Sequence, residues 1–127
     1  MKKYNQSLFF LIISLFIIFS SCKQEEVLRL EGTLWTASWD EIYVENGNEF
    51  SNSVYATLTF GDKNCFLEIP QDDYIDVFPY TYNNKFLVIS VSNHLERINF
   101  SSNYNFVWRN CPFVQGQFQQ DVTFRKR

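Results

Sequence analysis

The chain has 127 residues with 11 Lys and Arg against 14 Asp and Glu, a formal net charge of −3, and 19% of its residues are aromatic. That length suits one small domain rather than two. The acidic balance argues against nucleic acid as a partner, since nucleic acid wants a basic face.

The first segment is a leader. Lys2 and Lys3 precede an apolar stretch over residues 8–19, with Ser14 its one polar residue, and Ser20-Ser21 closes it just before Cys22. A basic start, a twelve-residue apolar region and small residues at the cut describe a secretory signal. Twelve is too short for a membrane-spanning helix, which needs about 20. Phe19-Ser20-Ser21-Cys22 resembles the bacterial lipobox, with Phe19 where Leu is usual. That resemblance implies cleavage before Cys22, acylation of its thiol and amine, and a lipid anchor. A single acyl chain holds a protein to a membrane only marginally, whereas two or more hold it stably. The expected organisation is a signal peptide over residues 1–21, a lipidated tether over 22–31 and a folded domain over 32–127.

Lys23-Gln24-Glu25-Glu26 follows the cysteine. A lysine with two acids resembles the signal that sends Bacteroidetes lipoproteins to the cell surface, although Gln24 interrupts the pattern. The alternative reading is a solvated, flexible tether. The expected location is the outer membrane, lipid-anchored, on the cell surface or the periplasmic face.

Without residues 1–21 the chain keeps 106 residues, 9 of the 11 basic side chains and all 14 acids, about −5 in charge. Ten Phe, six Tyr and three Trp remain, enough to fill a core and leave rings for a binding surface. With Cys22 acylated, Cys65 and Cys111 are an even pair in an oxidising compartment. They are expected to form a disulfide whose loop of about 46 residues would contribute roughly 4 kcal/mol, with two separate buried thiols as the other reading. The single histidine and the lack of a CxxC pattern give no zinc or haem site, and no cofactor is expected.

The remainder reads as strands. Trp35, Ala37 and Trp39 alternate with polar residues, and Ile42-Tyr43-Val44 extends the run. Val54, Ala56, Leu58 and Phe60 form one face of a second strand, residues 61–64 turn, and 65–69 return as its hairpin partner. Pro70 and Gln71-Asp72-Asp73 break the pattern. Alternation resumes over 74–82, where Pro79 marks an edge or a bulge, and Asn83-Asn84 turns into a nearly continuous apolar strand over 86–92. Strands over 95–100 and 104–109 flank a turn at 101–103, and 118–125 closes the chain. About eight short strands at a spacing near ten predict an all-β antiparallel meander. Closing it into an up-and-down barrel removes the exposed edges.

Gly32-x-x-Trp35, Thr57-Leu58-Thr59-Phe60 turning into Cys65-Phe66-Leu67, Tyr80-Thr81-Tyr82-Asn83-Asn84-Lys85 and Phe124-Arg125-Lys126 together resemble the lipocalin-like lipoproteins of the Bacteroidetes. The likeness is one of rhythm over most of the domain. It implies an eight-stranded barrel with Trp35 plugging one end and Arg125 set against that tryptophan.

No catalytic constellation emerges. His94 sits beside Asn93 in an expected turn with no Gly-x-Ser-x-Gly element. Glu68, Asp72, Asp73 and Asp76 cluster in sequence as a calcium candidate, without EF-hand spacing, or as a solvated acidic loop. The stronger candidate is aromatic: Tyr74, Phe78, Tyr80 and Tyr82 share one face of their strand with Asp76, as core or as a platform for a sugar or apolar ligand. The leading expectation is a membrane-anchored, non-enzymatic binding module with a pocket reached past Tyr80 and Tyr82. Next comes a structural or protein-interaction subunit of the envelope, which a filled interior would favour, and last a small hydrolase.

Overall fold

The computed structural model of the chain describes residues 29–83 and 86–127. The expected leader, Cys22 and most of the tether lie outside the described residues. Eight antiparallel strands follow one another in sequence order and close on themselves: β1 (Leu34–Glu45), β2 (Asn48–Phe60), β3 (Asn64–Ile69), β4 (Tyr74–Tyr82), β5 (Phe86–Val91), β6 (His94–Ser102), β7 (Asn105–Trp108) and β8 (Val122–Lys126). The expected all-β up-and-down barrel is the architecture found.

Period-two alternation sets the inside. Along β2, Val54, Ala56, Leu58 and Phe60 are buried, and Cys65, Leu67 and Ile69 repeat the pattern on β3. Each strand therefore turns its apolar set inward, and a slip of one residue would expose it. Rings fill the interior. Trp35 lies between Phe100 and Phe106, with centroids 5.7 and 5.0 Å away. Phe106 stacks at 5.0 Å on Phe124, its partner across β7 and β8. Ala37 and Ala56, opposite one another on β1 and β2, are the smallest inward residues and leave room for these rings.

The barrel has two distinct ends. The described chain enters at Arg29, at the end where β1 starts and β8 stops; the β2–β3, β4–β5 and β6–β7 connections share it. The far end carries the β1–β2 turn, a 3-10 turn at Pro70–Asp72, the β5–β6 turn and the long connection over 109–121. Two of its turns are tight, two-residue links with positive φ at both positions, Asn46-Gly47 and Ser92-Asn93.

Trp35 is fully buried and closes the entry end, its indole N–H donating to Thr33 Oγ1 at 2.8 Å. Arg125 does not join it. Alternation on β8 sends Phe124 inward and Arg125 outward, where it stands opposite Thr36 on the outer wall. The last strand is also shorter than expected. Residues 118–121 belong to the connection rather than to β8, and they bond within it: the Gln120 backbone O accepts from Cys111 N, and the Asp121 side chain accepts from Asn110 N at 2.8 Å. His94 is not in the turn but opens β6, opposite Val91.

Only Trp35 and Thr36 of β1 pair with β8. Farther along, the 109–121 connection lies against β1 instead. Gln117 N donates to Ile42 O at 2.9 Å, Gln117 Nε2 to Val44 O at 3.0 Å, Gln120 Nε2 to Asp40 O, and Gln115 N to the carboxylate of Glu41. Glu41 is the buried charged residue among those described, and it also accepts from Trp39 Nε1 at 3.3 Å. Gly116, at φ +104°, allows this close approach: a Cβ there would sit 2.8 Å from Ile42 O.

The expected disulfide is absent. Cys65 and Cys111 are free, buried thiols, and the topology explains why. Cys65 is the second residue of β3, toward the entry end and opposite Phe60 and Phe78, while Cys111 lies in the connection at the far end. Burial pushes each thiol up to about 12.

Two outcomes follow from this packing. Gly116→Ala is expected to destabilise the barrel by about 1–3 kcal/mol and to make the 109–121 connection the first site of limited proteolysis; wild-type melting and cleavage behaviour would count against the docking described. For a barrel prepared without residues 1–28, Ellman's reagent at pH 8 is expected to find no reactive thiol until denaturant is added, and then two per chain without reductant. Between about 9 and about 12 the unfolded chain sheds thiol protons that the folded barrel retains. Stability should therefore be untouched by these groups below pH 9 and fall as pH rises above it, as urea melts across that range would register.

Candidate functional site

The wall opens between β4 and β5 near the far end. Strand β4 pairs with β3 along its first part, from Ile69↔Tyr74 to Asn64↔Pro79, but with β5 only over Tyr80↔Ile89 to Tyr82↔Leu87. Pro79 has no N–H to offer, so the β4–β5 ladder stops beside it. Past that point the side chain of Asp76 accepts from Val77 N at 2.8 Å, which satisfies a backbone donor along the open edge. The β5–β6 hairpin continues without β4 to its turn at Ser92-Asn93.

The gap forms a cleft of about 390 Å³ between β4 and the β5–β6 hairpin, capped by the 109–121 connection. Ile69, Tyr74 and Val91 come from the wall, Pro112 and Phe113 from the cap, and Asp72, Ser92, His94 and Gln115 add polar groups. Phe113 is its central ring. It lies 5.3 Å from Phe78, 5.4 Å edge-on from Trp108 and 6.2 Å from Tyr74, so it seals the core below the cleft.

Polar groups around the cleft are partly engaged. Tyr74 donates its hydroxyl to Asp76 Oδ2 at 3.0 Å, and burial followed by this carboxylate raises its pKa, keeping it a donor. His94 Nε2 is 3.1 Å from Glu96 Oε1. Gln115 is positioned through its backbone, which is tied to Glu41. An aromatic and aliphatic floor with a few convergent polar groups is the chemistry of a small-molecule site.

The four aromatic residues expected to act together are inward-facing but divided along the strand. Tyr74 belongs to the far end and lines the cleft, whereas Phe78, opposite Cys65, lies farther along the strand with its ring turned to Phe113. Tyr80 packs edge-on against Phe60 at 5.0 Å and donates its hydroxyl to Gly61 O. Tyr82 packs edge-on against Phe100 at 5.5 Å. These two therefore close the entry end, and the expected passage past them into a hollow interior is replaced by packed rings. A nine-residue strand carries its inward face from one end of a small barrel to the other, so one periodic stripe serves two places.

Phe113 and Gln115 escaped the sequence reading because their segment has no period. The signal available was Pro112-Phe113-Val114, an apolar cluster in an otherwise polar stretch. The acids Glu68, Asp72, Asp73 and Asp76 do not converge: among the described residues no group of three or more His, Cys, Asp or Glu side chains is placed to hold a metal ion.

Comparison with models of known families, with curated proteins and with solved structures finds no match to this chain.

Proposed function

We propose that this chain is a lipid-anchored, non-enzymatic binding module of the lipocalin-like lipoprotein kind, taking a small glycan or apolar ligand in the cleft at the far end of the barrel. The observation that carries this reading is the cleft itself. The β4–β5 wall parts there, and Tyr74 and Phe113 meet hydrogen-bonding groups in the gap. A volume of about 390 Å³ suits one or two sugar rings or a short acyl chain, within the range usual for such sites. Aromatic faces take the apolar side of a sugar, and the polar rim takes its hydroxyls.

The anchor reading rests on the sequence through Cys22. It fits the topology, because the described chain enters the barrel at the end opposite the cleft. A tether arriving there leaves the cleft facing away from the membrane.

A second reading, an envelope protein as partner, is favoured by the ring-filled interior and by a different surface. Phe66, Ile75 and Val77 are exposed on the outer wall of β3 and β4, with Phe66 opposite Val77. Leu95, 72% exposed, shares an outer groove with Pro79 on β4. Such an apolar stripe on a wall is a recognised mark of protein contact.

Amide chemical shifts of a barrel spanning residues 23–127, titrated with a panel of neutral oligosaccharides and short fatty acids, separate the two. The expected result is saturable shifts at Tyr74, His94 and Phe113, with affinity about tenfold weaker in Phe113→Ala, the loss of one stacking ring. No response to any member of the panel, or shifts confined to Phe66, Ile75 and Val77, would overturn the cleft reading.

A further inference from the structure

The charges of the barrel are sorted between its ends. Among the described residues, the exposed cations Arg29, Lys63, Arg125 and Arg127 at the entry end, with half-buried Lys126, face two acids, Glu31 and Asp62. The far end holds Glu45, Glu49, Asp72, Asp73, Asp76, Glu96 and Asp121 with Arg109 as its cation, while Arg97, farther along β6, lies over the Phe86 ring. No carboxylate among the described residues forms a salt bridge with the entry-end cations.

Their placement makes a surface. Lys126 N donates to Tyr104 O at 2.8 Å and Arg127 N to Leu34 O at 2.9 Å, so the basic end of β8 is held beside two apolar side chains. Tyr104 is 64% exposed and Leu34 40%. Basic groups around an exposed tyrosine and an aliphatic side chain match a membrane interface, where cations meet headgroup phosphates and an amphipathic ring sits at headgroup depth.

We infer that the entry end of the barrel, through Arg29, Lys63, Arg125, Lys126 and Arg127 with Tyr104 and Leu34, docks on an anionic phospholipid surface. The acidic far end is repelled from the same surface, so the molecule stands upright with its cleft outward. This contact belongs to the folded domain. It is independent of acylation at Cys22 and of any ligand in the cleft.

The test uses the unacylated barrel, residues 23–127; among the described residues the buried ones lie between Leu30 and Phe124, and the eight strands that close the barrel lie between Leu34 and Lys126. Cosedimentation is measured with vesicles of phosphatidylglycerol and phosphatidylethanolamine, and with vesicles of phosphatidylcholine. Binding is expected to the anionic vesicles alone and to fade as salt screens it. Each basic residue near such a surface is worth roughly fivefold, so Arg125→Gln, Lys126→Gln and Arg127→Gln together should weaken binding about a hundredfold. Arg29→Gln with Lys63→Gln, both outside strands, should weaken it about 25-fold and stands in if the β8 variant misfolds. Glu45→Gln with Glu49→Gln, which raises net charge at the far end, should leave binding within about twofold of wild type. Equal partition to phosphatidylcholine, no binding to anionic vesicles, or a gain from the far-end variant as large as the loss from the basic ones would overturn the inference. Because no ligand is present, failure here leaves the cleft reading standing, and failure of the ligand titration leaves this one standing.

Discussion

The structure depends on how β1 is covered. A barrel of eight strands closes only if its first and last strands meet, and here they share two registered pairs, Trp35↔Lys126 and Thr36↔Arg125. Most of β1 would otherwise present an open edge, the feature that invites pairing between molecules. The 109–121 connection takes over where β8 does not reach. It is held by backbone and side-chain bonds to Asp40, Glu41, Ile42 and Val44, and Gly116 lets it come close enough to make them. Glu41 is decisive because a buried carboxylate without partners is costly, and Gln115 N and Trp39 Nε1 supply them.

The same segment builds the candidate site. Once Gln115 and Gln117 are tied to β1, Phe113 is carried across the far end and set among Tyr74, Phe78 and Trp108. Its ring closes the core and becomes the floor of the cleft. On the other side of the cleft, Pro79 ends the β4–β5 ladder and Asp76 satisfies the edge beyond it. The site is thus a by-product of two solutions to the edge problem, a covered β1 and a blunted β4. Its position opposite the chain's entry, together with the sorted charges, gives the molecule a membrane end and an outward end in the reading proposed above.

Much of the fold was legible in the sequence because alternation is strict where one face is buried. Val54, Ala56, Leu58 and Phe60 could be read as one inward face without any other information, and Trp35, Ala37 and Trp39 likewise. The residues that extend strands beyond the core could not. Asn48 to Ser53 lengthen β2, yet all of them are exposed on the far-end hairpin, so no period marks them. Residues 118–121 failed in the opposite sense, since Phe118 beside Val122 and Phe124 suggested a longer strand while Phe118 is exposed in the connection. Tyr74, Phe78, Tyr80 and Tyr82 were rightly placed on one face, but only strand pairing shows which end of the barrel each ring reaches. The cysteines illustrate the same limit, since parity gives the number of thiols and only the fold shows that they stay apart, Cys65 on β3 and Cys111 in the 109–121 connection.

Amide hydrogen exchange of the barrel tests the central claim that the 109–121 connection is docked on β1 and frames the cleft. Gln115 and Gln117, whose N–H groups are held by Glu41 and Ile42, are expected to be protected to nearly the degree of the strand amides of β1. Exchange at both amides near the rate of an unfolded chain, with the strands still protected, would contradict it and leave β1 uncovered and the cleft without its cap.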